Sequence, residues 1–441
     1  MDRENVVKQA TEKNIKFVQL QFMDILGFVK NVTIPSTKLG DAMDKGIVFD
    51  GSSIVGYATI DESDFRLVPL PKSFQTLPWE KDSMKTARLI CNIHKPDGSR
   101  FEGDPRHVLE RTIKRAEDMG YHSLTGPEYE FFLLKMDQNH NPVMELSDSG
   151  GYFDLLPLDK GELVRKRVVE YANELGFDAE MSHHEVAPGQ HEVDLKYADA
   201  LVSADRVLLL KHMIKSVAMN HDLYATFMPK PLSKINGNGM HVHQSLMDFK
   251  GNNVFYDPDD ENELSQTALY YIGGLLEHAQ ETCAILASWV NSYKRLVPGY
   301  EAPVYISWAN RNRSALVRVP AGRESSTRVE MRNPDPAGNP YLQFALMINA
   351  GLDGIKKKIM PPESVERDIY KLNQAERQNL GIKDLPGNLG QALSFFKKSE
   401  LALETLGPHI FDHFIIIKSQ EWGEYKAQVS QWEIDKYLPV L

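Results

Sequence analysis

The sequence predicts an α+β protein built in two parts, with an antiparallel sheet at the centre of the larger one. Three observations carry this expectation. At 441 residues the chain exceeds what one hydrophobic core usually organises, so two domains are expected. Short β-like pieces (KFVQLQFMD, FVKNVTIP, ARLICNI) fill the region before residue 101, whereas later β pieces mix with long helical patterns such as 161–175 and 198–220. The later strands also alternate. MHVHQSL sends His241, His243 and Ser245 to one face and Met240, Val242, Gln244 and Leu246 to the other. TRVEMR sends Arg328, Glu330 and Arg332 one way and Val329 and Met331 the other. Two-faced strands suit an antiparallel sheet better than a doubly wound parallel one, here with the polar face lining a cavity.

The junction between the two parts reads from KPDGSRFEGDPRHVLER, which is dense in turn residues and then starts a helix. Asp104 suits the N-cap, Pro105 the first helical position, and Gly120 follows the end. Val108, Leu109, Ile113 and Ala116 fall on one stripe of that helix. A boundary near residue 101 follows, giving domains 1–101 and 102–441.

Composition narrows the function classes. The chain is 42% hydrophobic and 25% charged, which argues against disorder. A net charge of −11 argues against a general nucleic-acid or membrane-surface binder. Two cysteines, Cys91 and Cys283, form no zinc or disulfide pattern, and buried thiols in a reducing compartment are expected. The N-terminal MDRENVVKQATEKNIKFVQL is charged throughout and lacks the apolar core of a signal peptide. No segment approaches the ~18 apolar residues of a membrane span. A soluble cytoplasmic protein is therefore expected.

The stretch GPEYEFFLL places Glu128 and Glu130 two apart, ahead of four apolar residues. As a strand it points both carboxylates the same way, about 6–7 Å apart, from a segment that reads as mostly buried. Like charges that close repel and resist desolvation, so something must compensate them. A second acidic stretch, HHEVAPGQHEVD, supplies Glu185 and Glu192 around a Pro188-Gly189 turn. With Glu330 and His241 the set becomes five carboxylates and one imidazole. Hard divalent cations such as Mg²⁺ or Mn²⁺ prefer oxygen-rich ligands of this kind. Two ions fit six ligands, three each, with water and phosphate completing the shells. Each motif also has an ordinary reading: an exposed or ion-paired Glu pair, capping or packing histidines, a plain turn. Spacing alone does not bring these segments together, and the joint pattern is what favours metal.

Arginines and glycines add an anion beside the cations. NGNGMH sets two glycines before the histidine strand, where they let backbone approach a ligand. SYKRLVPGYEAP is a Pro-Gly loop carrying Lys294, Arg295 and Glu301, suited to a flap or to a plain surface loop. ANRNRSALVRVP carries Arg311, Arg313 and Arg318, and Arg328 and Arg332 flank Glu330. Arginine is the preferred side chain for phosphate and carboxylate recognition. No P-loop or dinucleotide fingerprint occurs, so a nucleotide would need another fold.

Taken together, KPLSKINGNGMHVHQS, NSYKRLVPGYEAP, RVEMRNPDPAGNPYL and the earlier FDGSS closely resemble the signature blocks of bacterial type I glutamine synthetases, over essentially the whole chain. The resemblance implies a small N-terminal β-grasp domain, a larger catalytic domain with an antiparallel sheet flanked by helices, and a dodecamer of two hexameric rings with active sites between neighbouring subunits. It implies that Glu130, Glu185 and Glu192 hold the tighter metal, and that Glu128, His241 and Glu330 hold the one that accompanies the nucleotide. Asn236, Gly237, Arg295, Glu301 and Arg332 match glutamate contacts. Glu180, His243, Ser245, Arg313, Arg318 and Arg328 match nucleotide or phosphate contacts, with Tyr197 near the adenine. Asp50, from the neighbouring subunit, matches the ammonium-binding carboxylate. The reaction so implied is ATP-dependent joining of ammonia to L-glutamate through γ-glutamyl phosphate, with Mg²⁺ or Mn²⁺, in nitrogen assimilation. Arg313 and Arg332 would stabilise the transferring phosphoryl, and Asp50 and Glu301 would accept protons.

The chain departs from the family in places. Subtypes controlled by adenylylation carry a tyrosine where GIKDLPGN has Lys383, so the shorter, non-adenylylated subtype is expected. That subtype carries an arginine tied to glutamine inhibition where GYATIDES has Thr59, which puts glutamine feedback in question. It also binds transcription regulators, a partner class the resemblance brings with it. Asn333 stands where relatives carry a small or aromatic residue. Two rival readings are a γ-glutamyl ligase for another amine and a catalytically silent regulatory relative. Retention of Asp50 opposes the first, and retention of all six metal positions opposes the second.

Overall fold

The computed structural model describes residues 1–57, 64–80 and 82–441. Its N-terminal part is a six-stranded mixed sheet in the order β2-β1-β6-β4-β3, with β5 added beside β6. The strands are β1 (Phe17–Met23), β2 (Val29–Pro35), β3 (Ile47–Asp50), β4 (Asp64–Pro69), β5 (Gln75–Thr76) and β6 (Thr86–His94). The central β1–β6 pair is parallel and the others are antiparallel. Helices α1 (Arg3–Glu12) and α2 (Leu39–Lys45) complete this part. Both cysteines are free and buried, and burial pushes the Cys283 thiol up to about 12.

The turn-rich junction leads into α3 (Pro105–Asp118) as the sequence predicts. Asp104 caps it by accepting from the Arg106 N–H, Pro105 opens it, and Gly120 at φ +93° follows it. Val108, Leu109 and Ala116 are fully buried, which anchors the stripe. The 161–175 and 198–220 patterns become α4 (Glu162–Glu174) and α5 (Ala200–Met219).

The larger part is built on a ten-stranded sheet, nearly all antiparallel. Its strands are β7 (His122–Met136), β8 (Pro142–Leu146), β9 (Ala179–His184), β10 (Gln190–Leu195), β11 (Ala198–Asp199), β12 (Leu223–Thr226) and β13 (Val242–Met247). After β14 (Tyr305–Ile306), which pairs with a short strand at Lys383–Asp384, come β15 (Trp308–Asn310), β16 (Val317–Val319) and β17 (Val329–Met331). The order is β15-β16-β17-β13-β7-β10-β9, with β8, β11 and β12 also on β7. The exception to antiparallel pairing is β15 with β16.

Helices α6 (Gln266–Glu277), α7 (Ala279–Leu286), the one-turn α8 (Ser292–Arg295) and α9 (Pro340–Lys357) follow. Helix α9 is buried through most of its length and packs against α3 and α6. Asn339 caps it by accepting from the Tyr341 and Leu342 N–H groups. The same side chain donates to the Asp24 and Ile25 carbonyls, tying the N-terminal sheet to the larger part. A continuous apolar core joins the two. No helix among the described residues is long and apolar enough to cross a membrane.

Candidate active site

The long strand β7 carries Glu128 and Glu130 into a cleft of about 540 Å³. Its antiparallel partner β10 sets Glu192 opposite Glu130 and Asp194 opposite Glu128. On the other side of β7 lies β13, and β17 sets Glu330 opposite His243. The alternation read from the sequence holds: Val242, Leu246, Val329 and Met331 are buried behind the sheet, while His241 and Glu330 line the cleft.

Two groups of donor atoms result. One is Glu128, His241 and Glu330, the other His183, Glu185 and Glu192. Within each, the ligand atoms all lie within 4.8 Å of one another. Both are oxygen-rich sets with one imidazole, the chemistry that suits a hard divalent ion. Glu130 lines the same cleft, but its Oε2 accepts from Gln190 Nε2 and from the Gly239 N–H, each at 2.8 Å. In the second group His183 therefore stands where the resemblance expects Glu130. The sequence showed His183 only as part of an acidic stretch; the β9–β10 register, with His183 opposite Glu192, is what brings it in.

The electrostatics answer how the carboxylates tolerate one another. Burial, then the Glu185 charge, pushes Glu130 up to about 8 against the pull of Arg295. Burial, then Asp194 and Glu130, raises Glu192 well above its ordinary range. Burial and the Glu128 charge push Asp194 up to about 7. The protein alone thus supplies too little positive charge here, a deficit that a bound cation would offset. The other half of the cleft differs. Burial would raise Glu128, yet hydrogen bonds and charge from His241 and His243 hold it well below the usual range. His241 Nδ1 and His243 Nε2 each lie 2.8 Å from a Glu128 oxygen. Glu330 is likewise lowered, burial being outweighed by Arg332 and the two histidines.

Arginines frame the acidic face. Arg332 Nη1 donates to Glu330 Oε1 at 2.8 Å and Arg318 Nη1 to Oε2 at 2.7 Å. Arg295 is buried and donates to the carbonyls of Arg332, Asn333 and Pro334, so its place at the cleft wall is fixed by backbone. A side chain on Gly239 would put its Cβ 2.6 Å from Arg295 Nη2; this glycine is demanded by close approach. Asn236 Nδ2 donates to Glu301 Oε2 at 2.9 Å, linking the Pro-Gly loop to the glycine loop across the cleft mouth. Gly237, Arg313 and Tyr152 also line the cleft.

A second cavity of about 280 Å³ shares Glu128, Met181 and Asp194 with the first. Glu180, Tyr197, His243, Ser245 and Arg328 line it. Arg328 Nε donates to His243 Nδ1 at 3.2 Å. The residues the resemblance assigns to a nucleotide thus divide, with Arg313 and Arg318 in the acidic cleft and the rest in the adjoining cavity.

Asp50 is exposed, bonded to Ser52 and Ser53, and lines neither cavity of its own chain. Lys294 and Arg311 also stand outside both; Lys294 lies over the Tyr425 ring. Lys383 is exposed on the strand paired with β14. Thr59 lies outside the described residues. Sequence reading missed His183, Gln190, Asp194 and Tyr152 as cleft residues. Gln190 and Asp194 were findable from the alternation of QHEVDL about Glu192, whereas Tyr152 arrives from a loop with no local signal.

An acidic cleft framed by arginines and continuous with a second, polar cavity marks an enzyme that handles a charged substrate beside a phosphorylated one. Residues 102–437 match the glutamine synthetase catalytic domain and residues 14–96 the glutamine synthetase beta-Grasp domain. A glutamine synthetase of Methanosarcina mazei is 52% identical over 441 residues, covering 100% of this chain and 98% of its own. One from Staphylococcus aureus is 49% identical over 438 residues, covering 99% and 98%. Among solved structures, a GmaS–ADP complex superposes with a TM-score of 0.89 at 34% identity, covering 98% of this chain and 99% of that one. The cryo-electron microscopy structure of Plasmodium falciparum glutamine synthetase gives 0.87 at 25% identity, covering 99% of each. The chain belongs to the glutamine synthetase family.

Proposed function

We infer that the chain joins ammonia to L-glutamate, giving L-glutamine, ADP and phosphate through γ-glutamyl phosphate. The carrying observation is the pair of oxygen-rich donor groups in one cleft that opens into a second cavity lined by Arg328 and Tyr197. Glu128, His241 and Glu330 would hold one divalent ion, and Glu185 and Glu192, with His183 and Glu130 beside them, the other. When bound, such ions neutralise phosphate charge and polarise phosphoryl oxygens; Mg²⁺ is the expected metal, with Mn²⁺ as substitute.

The chain's own residues account for the rest. A carboxylate is a poor electrophile, so it must be activated before ammonia attacks. Asn236, Gly237 and Arg295 are placed to orient glutamate at the cleft mouth. Arg313 and Arg332 stand where positive charge would stabilise a phosphoryl group in transit. Arg318 donates to the second oxygen of Glu330. Glu301, hydrogen-bonded to Asn236, closes the mouth against water, which would otherwise hydrolyse the acyl phosphate, and is placed to take a proton. Tyr197, Ser245, His243 and Glu180 would seat the nucleotide.

Asp50, exposed and lining neither cavity of its own chain, fits a role in a neighbour's site as the acceptor of the ammonium proton. That placement supports a homo-oligomer, for which a dodecamer of two rings is proposed, with domains 1–101 and 102–441, cytoplasmic location and regulator binding as further parts of the same reading. The test is glutamine and ADP formation from glutamate, ATP and Mg²⁺ with ammonia, putrescine or ethanolamine as amine, alongside mass photometry of the particle. Turnover with ammonia and a twelve-subunit mass are expected. Turnover with another amine alone, or with none, would overturn the assignment.

A further inference from the structure

Behind the sheet, on the face opposite the cleft, lies a buried group that the reaction does not use: Asp148, Asp159, His184 and His191. His184 and His191 alternate with the cleft residues His183 and Glu192 on β9 and β10 and face each other in register. Over them runs the segment 147–161. Its approach is close: a Cβ on Gly150 would come 2.7 Å from His184 Nε2, and one on Gly161 would come 2.3 Å from His191 Cε1.

The group invites a metal reading, but Arg165 already occupies that role. It pairs with both oxygens of Asp159 at 3.1 and 2.6 Å and donates to His191 Nδ1 at 2.7 Å. A second cation would sit against this guanidinium at short range.

Asp148 is different because it ties several segments together. Its Oδ1 accepts from the Gly189 N–H at 2.7 Å, His184 Nε2 at 3.0 Å and the Gly150 N–H at 3.3 Å. Its Oδ2 accepts from the Lys160 N–H at 3.2 Å and Ser147 Oγ at 3.4 Å. Gly189 belongs to the turn between Glu185 and Glu192. The loop closed by Gly150 and Lys160 carries Tyr152 and Phe153 round to the cleft side. There the two rings stack with centroids 4.0 Å apart and both stand edge-on to His183, at 5.3 and 4.9 Å. The Phe153 N–H is bonded to the His184 carbonyl at 3.1 Å.

We propose that Asp148 is a positioning residue for the cleft: from behind the sheet it fixes the Gly189 turn and the Tyr152–Phe153 loop, and through them His183 and Glu185. The inference rests on the reading of His183, Glu185 and Glu192 as a divalent-cation group. The informative substitution is Asp148→Asn. Both carboxylate oxygens face N–H donors, so an amide of the same size must turn its own NH₂ against one of them.

The experiment is calorimetric titration of Mn²⁺ into the full-length wild type, Asp148→Asn and Phe153→Leu, with ADP titrations and circular dichroism in parallel. Residues that orient metal ligands from behind typically matter by 10–100-fold in affinity. Asp148→Asn is expected to weaken Mn²⁺ by about tenfold and Phe153→Leu by a few-fold, with metal-free ADP affinity unchanged. A merely structural role would lower melting temperature and folded fraction and leave the dissociation constants of the folded molecules as they were. Phe153 is 58% exposed, so Phe153→Leu decides the matter if Asp148→Asn fails to fold. Mn²⁺ isotherms that coincide with wild type in every folded variant would overturn the proposal. Because the readout is metal binding, a failure of the ligase reading shows in wild-type turnover, and a failure of this inference shows only in the variants.

Discussion

Glu330→Gln is the perturbation whose size follows most directly from the geometry. Glu330 is 1% exposed and accepts one hydrogen bond on each oxygen, from Arg332 at 2.8 Å and Arg318 at 2.7 Å. Glutamine keeps the shape and one acceptor oxygen, so one of the two charge-assisted bonds is lost, at about 1.5–3 kcal/mol. The same lost charge is one of three donors in the Glu128–His241–Glu330 group. Loss of a charge-assisted interaction of about 1.5–3 kcal/mol between that carboxylate and the ion corresponds to roughly ten- to a hundredfold in metal affinity. The half-saturating Mg²⁺ concentration for ADP release, measured at saturating ATP and glutamate, should therefore rise by about that factor. Alanine is the less informative change. It leaves two guanidinium groups facing a vacated site, and breaking a buried pair this way costs about 3–5 kcal/mol, which mixes folding with binding. A Mg²⁺ activation curve for Glu330→Gln superimposable on wild type would show that Glu330 holds no catalytic metal.

Three other expectations follow from separate parts of the molecule. Asn236→Ala removes the 2.9 Å bond to Glu301, so the mouth should close less well; the ratio of ADP to glutamine formed is expected to rise above one, and a ratio equal to wild type would contradict the flap. Arg328→Ala frees His243 and removes a cation from the second cavity, and should raise the KM for ATP by about tenfold while the KM for ammonia holds. His278 is buried between Glu281 and Asp353, the latter at 2.8 Å, and their hydrogen bonds outweigh burial and raise its pKa above 6.5. A raised folded-state value means the stabilisation is complete below about 6.5 and is lost as pH climbs through the folded pKa. The melting temperature of wild type relative to His278→Gln should therefore shrink from pH 6.5 upward; a constant difference would count against it.

What the sequence made legible was local. The strand GPEYEFFLL, the one-sided histidines of MHVHQSL and the capped helix at Asp104 are set by alternation and by turn chemistry, and each appears where it was expected. Asp104 caps and Pro105 starts because an Asp side chain suits the N-cap and a proline the first helical position. What was not legible depends on partners far away in the chain. His183 joins the second donor group only through the register of β9 with β10. Arg295 reads as a free substrate arginine, yet three backbone carbonyls from residues 332–334 hold it. Asp148 has no motif at all, since its meaning lies in Gly189, His184 and Lys160 meeting around it. Asp50 is the opposite case: the resemblance gave it a role, and in the structure it stands exposed and apart from its own chain's clefts.

Dications held between the acidic strands are what the proposed reaction requires, and they are seen most directly in the anomalous Mn²⁺ signal from crystals of the protein with ADP. Two peaks are expected in the acidic cleft, one within bonding distance of Glu128, His241 and Glu330 and one of Glu185 and Glu192. A well-ordered nucleotide with no anomalous peak at either group, and Glu130 and Glu192 protonated in its place, would contradict that requirement.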